Sequence, residues 1–114
     1  MGAWSDEPWD NDTAADWFGV LMDSTRLRDA WHEGITADPD DDEGEVRYAA
    51  AWLFLQLGRV YVWPIDTFAE DLEQTIRVLH ELRTDERLSE NDPETWKARI
   101  DGYINELEGR RPPA

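Results

Sequence analysis

The chain contains no cysteine, which excludes disulfide bonds and thiolate metal sites. It has one lysine, Lys97, against ten arginines, and two histidines, His32 and His80. Its longest apolar run, Ala49 to Leu55, falls far short of the ~20 residues that cross a bilayer. The amino-terminal residues show neither a basic region nor an apolar core, so no secretory signal is expected. Asp6 stands where a myristoylation signal needs Ser or Thr. The expected location is cytoplasmic. No stretch alternates with period two except the short Tyr61-Val62-Trp63 run, too brief to build a sheet.

What the chain has in excess is acid. Net charge is −16 over 114 residues, with a pI near 4.2. Nucleic-acid binding rests on neutralising phosphates with Lys and Arg, so this balance argues against nucleic acid and against anionic membranes. The charge is also uneven: residues 1–45 carry −12 and residues 46–114 carry −4. Such asymmetry suits either a basic partner or a solvated acidic face. The length suits one domain with a core of its own.

Hydrophobic spacing predicts an all-α single domain of about five helices, residues 1–109, followed by a tail over 110–114. A first helix is expected over Thr13–Met22, capped by Asn11 or Asp12, with Ala14, Trp17, Phe18 and Leu21 inward. A second opens at Ser24 or Thr25, turns Leu27, Ala30 and Trp31 inward and stops at Gly34. After an acidic loop, Glu45–Val62 reads as a buried central helix, apolar nearly all round and ended by Pro64. Asp66 or Thr67 is expected to cap the fourth helix, Thr67 with Glu70 reading as a capping box, with Ile65 as staple and Phe68, Leu72, Ile76, Leu79 and Leu82 as its stripe. Asp92-Pro93 opens the fifth, whose inner face is Trp96, Ile100, Tyr103, Ile104 and Leu107; Gly109 ends it.

The opening residues place Trp4, Trp9 and Trp17 around the turn and cap run Asp10-Asn11-Asp12-Thr13. Met1, Gly2, Ala3, Trp4, Asn11, Asp12, Ala14 or Ala15, Asp16 and Trp17 match a pattern of Met-Gly-Ala-Trp-Gly, an aromatic, Asn-Asp, Ala and Asp. In this the chain resembles a bacterial family known as domain of unknown function number 4259. Trp9 stands where that family more often has Phe, and Ser5 and Glu7 where it usually has Gly. The Leu57-Gly58-Arg59 ending of the alanine-rich helix and the following Pro64 resemble the family more weakly. The resemblance implies a small bacterial helical domain and no substrate, cofactor or catalytic residue. Gly2, Trp4, Asn11, Asp12, Asp16 and Trp17 are then expected to be structural.

Asp38, Asp40 and Asp42 have the spacing that opens a calcium loop, but Glu43 replaces the turn Gly and Ala49 the closing Glu. His80-Glu81 begins a zinc-helix motif whose second His is replaced by Thr84. No metal or cofactor is expected. Asp12 and Asp16, four apart, share a helix face and suit a cation, a basic side chain or a capping role. Glu45, Tyr48, Trp52, Gln56, Arg59 and Trp63 follow helical spacing as a mixed aromatic and polar stripe. Tyr, Trp and Arg are enriched in binding hot spots. Amphipathic packing gives the same stripe.

The expected partner residues are Tyr48, Trp52, Arg59 and Trp63, with Asp40, Asp41 and Asp42 attracting a basic protein. The expected function is a non-enzymatic module that masks such a partner, in the manner of an immunity protein neutralising a toxin. Two other readings stay open. One is an enzyme or ligand carrier using carboxylates around Asp12 and Asp16; the other is a self-associating structural module.

Overall fold

A computed structural model describes residues 8–9, 11–38 and 44–112. The fold is all-α, with α1 (Asp12–Ser24), α2 (Leu27–Ile35), α3 (Gly44–Leu57), α4 (Ile65–Arg83) and α5 (Pro93–Glu108). None of these helices is long and apolar enough to cross a membrane.

The hub is α4. Phe68, Leu72, Ile76 and Leu79 run beside a second buried stripe of Asp71, Thr75, Val78 and Leu82. Two adjacent stripes make an apolar face wide enough to take α3 and α5 at once, with α2 touching its edge. The expected central helix therefore shares its role. α3 buries Ala50, Ala51, Phe54 and Leu55 but leaves Val46 and Trp52 in solvent. Its small residues let α2 come close. Gly34 lies inside α2, where a Cβ would meet that of Ala50 at 3.3 Å, and Trp31 donates its indole N–H to the Ala50 carbonyl at 2.9 Å. Gly34 is thus a packing residue and the helix runs past it to Ile35.

α3 stops at Leu57 rather than continuing to Val62. Gly58 donates to the Phe54 carbonyl at 2.6 Å and lies flat on the Phe54 ring, which any Cβ at that position would strike. The chain then turns tightly: Val62 and Trp63 both donate to the Arg59 carbonyl, at 3.1 and 2.9 Å, and Tyr61 adopts the left-handed φ of 76°. That conformation is uncommon for a bulky residue. Pro64 does not end α3. It immediately precedes α4, where its fixed φ of −53° introduces the helix.

Caps follow the sequence at two of the helix starts. The Asn11 side chain accepts from the Ala14 amide at 2.8 Å, and Asp92 accepts from that of Thr95 at 3.1 Å. The residues directly before α2 and α4, Arg26 and Pro64, give no side-chain cap, and the expected box at Thr67 does not form. Thr25 bridges the two helices: its hydroxyl donates to the Leu21 carbonyl at the end of α1, at 2.8 Å, and accepts from the Leu27 amide that opens α2, at 3.4 Å. Ile65 is 69% exposed and staples nothing. On α5, Ile100, Ile104 and Leu107 are buried, and Trp96 donates to the Leu82 carbonyl at 2.9 Å.

Beyond α5, Arg110 donates to three carbonyls at the end of α3: Leu55 at 2.9 Å, Gly58 at 3.1 Å and Phe54 at 3.5 Å. Carbonyls at a helix C-terminus have no partner within the helix, and a cation there also meets the negative end of the dipole. Arg111 forms a fork with Glu73 at 2.7 and 2.8 Å. The first residues of the expected tail are therefore anchored.

Candidate functional site

The segment 58–64 borders two hollows, and it carries or directly precedes three exposed large apolar side chains, Val60, Tyr61 and Ile65. Trp17 and Val20 are also exposed, on α1. On one side, a groove of about 340 Å³ runs between α1 and residues 61–65. Ala15, Gly19 and Met22 form one wall, Tyr61 and Ile65 the other, and Val62 and Trp63 contribute buried floor. Asp16 is the one carboxylate in the lining among the described residues. On the other side, Trp9, Arg59, Val60, Tyr61, Phe68 and Arg110 enclose a smaller hollow of about 210 Å³.

The floor is rigid. Trp63 is 2% exposed and meets Phe54 and Trp31 edge-on, with ring centres 5.0 and 5.1 Å apart. Its indole N–H donates to Asp71 at 2.8 Å. Arg28 grips the same carboxylate with two bonds, at 2.9 and 2.6 Å. Burial alone would raise the Asp71 pKa, but the bonds from Arg28 and Trp63 outweigh it and hold the carboxyl below its ordinary value. The fork in turn raises Arg28.

The rim is acidic. Asp12, Asp16 and Asp23 are all exposed, and none makes an ion pair among the described residues. Spacings of four and eleven bring them onto one stripe of α1 beside the groove wall. α1 contains no basic residue. Its first acid also meets the positive end of the helix dipole.

The expected site residues scatter over this frame. Tyr48 is half-buried, edge-on to Trp96 with ring centres 4.9 Å apart, and its burial pushes the phenol pKa up. Trp52 is 51% exposed on α3. Because α3 ends at Leu57, Arg59 and Trp63 leave its register and the stripe breaks. Arg59 lines the smaller hollow, and Trp63 lies inside the core, so it cannot contact a partner directly. Glu45 pairs with Arg87. Asn11 caps α1 as expected, while Trp17, expected inward, is 61% exposed beside Phe18. Gly2, Trp4, Asp40, Asp41 and Asp42 lie outside the described residues.

Sequence reasoning missed Tyr61, Ile65, Asp71 and Arg110. The signal for the first two was Gly58, six residues before Pro64 and able to end a helix before it. Asp71 and Arg110 act across 43 and 55 residues, which no local pattern displays. Compared with protein-family models, curated proteins and solved structures, the chain matches none.

Proposed function

We propose that this protein is a non-enzymatic binding module that masks a basic partner, of the immunity or toxin-neutralising kind, and that it belongs with the family its opening residues resemble. The observation that carries the binding role is the apolar groove bordered by Asp12, Asp16 and Asp23. An apolar floor with acids along one edge fits an amphipathic basic segment, whose apolar side chains fill the groove while Lys or Arg reach the rim. Tyr61 and Ile65, exposed at 54% and 69%, are the apolar contacts available to it. A second copy of this chain would bring the same acids to the same rim, so self-association at the groove is opposed by like charge. Paired carboxylates for acid–base work need a second acid facing the same space, and among the described residues the lining offers Asp16 alone.

Affinity capture from the host, at low and high salt, tests the reading with two altered proteins beside the original. One carries Asp12→Asn, Asp16→Asn and Asp23→Asn; the other carries Ile65→Ser at a position exposed enough to spare the fold. A basic protein held by the original at low salt, released by high salt and lost by both altered proteins is the expected result. Capture unchanged by either set of substitutions overturns the groove as the binding site.

A further inference from the structure

The smaller hollow has a chemistry opposite to that of the groove. Two guanidinium groups, Arg59 and Arg110, line it, and among the described residues no carboxylate does. In a chain of net charge −16, two cations on one small hollow stand out. Arg110 has its needs met: it donates to carbonyls of α3 and to Glu106 at 3.1 Å. Arg59 does not. Its Nε is buried without a hydrogen-bond partner, and among the described residues it forms no ion pair. Its guanidinium carbon lies 4.1 Å from the centre of the Trp9 ring. That contact satisfies the cation through a ring face but gives the N–H groups no acceptor. Burial and the Arg59 charge lower the Arg110 pKa, and Glu106 offsets them only in part. A buried donor without an acceptor is a cost that a bound acceptor removes.

We propose that this hollow binds a small carboxylate with a flat apolar body, its oxygens taken by Arg59 and its body held between Trp9, Tyr61 and Phe68. The planar fork of a guanidinium matches a carboxylate in two parallel bonds. The aromatic walls select for the apolar body. At about 210 Å³ the space suits a single-ring acid and is small for a nucleotide or another drug-sized ligand. The site stands apart from the basic-partner reading, which uses the acidic rim on the other side of Tyr61.

Calorimetric titration of the full chain with benzoate, benzyl alcohol and inorganic phosphate at ~0.15 M salt tests this. That ionic strength screens the long-range repulsion of the acidic surface beyond ~8 Å while leaving short contacts intact. The expected result is saturable one-to-one binding of benzoate. It should weaken at least tenfold in Arg59→Gln, recover in part in Arg59→Lys and weaken in Trp9→Ala. Circular dichroism establishes that each variant keeps the helical content of the original, and Arg59→Lys separates loss of charge from loss of fold. Benzyl alcohol, which lacks the charge, should not bind. Absence of saturable benzoate binding overturns the proposal, as does benzoate binding indifferent to Arg59→Gln. Binding of benzyl alcohol as tight as that of benzoate overturns the role of Arg59. Phosphate binding tighter than benzoate overturns the apolar body.

Discussion

Asp71 shows how much one side chain can organise in a small helical protein. It is 2% exposed, yet its two oxygens receive Arg28 and the Trp63 indole, and its carbonyl receives the Thr75 hydroxyl at 2.8 Å. Through these bonds α2, α4 and the segment before α4 share one anchor, and the floor of the groove keeps its shape. A buried ion pair is not by itself a large gain, because desolvation offsets much of the attraction. Removing one partner is different, since the other is left uncompensated. Asp71→Ala is expected to destabilise the fold by ~3–5 kcal/mol, read from urea unfolding. The pH dependence has a definite sign. The folded carboxyl titrates below its unfolded value, so its stabilisation is complete above that value, ~3.9, and is lost as pH falls through the lower folded one. Asp71→Asn should therefore unfold more easily near neutrality and show a shallower loss of stability over the acid range. An acid limb as steep as that of the original protein would mean that other carboxyls govern it.

At the scale of the element, α1 is the exception. Helices α2 to α5 share extended faces, whereas α1 has no comparable face against any of them and rests on the core through Met22 and Phe18. Its stability depends more on its own ends, and Asn11 supplies the starting cap. Asn11→Ala is expected to cost ~0.5–2 kcal/mol. Amide hydrogen exchange should show the change confined to α1, with α4 protected to the global limit in both proteins. Equal acceleration in α4 would show that α1 unfolds only with the rest. The same contrast explains what the sequence made legible. The caps Asn11 and Asp92, the Pro93 start and the stripe of α4 are local patterns, and each appears where its spacing puts it. The end of α3 is not local: it depends on Gly58 lying against a ring four residues back, while Pro64 reads equally as a stop or a start. Nor does hydrophobicity sort the tryptophans. Trp63 is buried with its N–H received by Asp71, and Trp17 is 61% exposed on a face of α1 that packs on no other described helix. Of the two hollows, the sequence singled out Asp12, Asp16 and Arg59, whereas Tyr61 and Ile65 take their places from the turn after Gly58.

For the molecule as a whole, shape and charge act together. The described chain extends 49 Å by 26 Å by 26 Å, and three-quarters of the net charge belongs to residues 1–45, which include all of α1. A basic partner approaching such a body is steered towards its acidic part before any contact forms. Exposed charges act over about one Debye length, ~10 Å at 0.1 M salt and ~3 Å at 1 M. Association and dissociation should therefore answer to different residues. Asp12→Asn, Asp16→Asn and Asp23→Asn together are expected to slow association several-fold at low salt and hardly at all at high salt. Ile65→Ser should leave association nearly unchanged and speed dissociation, because an apolar contact in the groove acts only once the complex has formed. Neutralising Asp40, Asp41 and Asp42 should behave as the α1 set does, since their charges belong to the same half of the chain. Stopped-flow mixing with the captured partner across a salt series separates these effects. An association rate indifferent to salt and to both acidic sets would reject electrostatic steering. With Ile65→Ser still speeding dissociation, binding would then rest on the apolar groove alone.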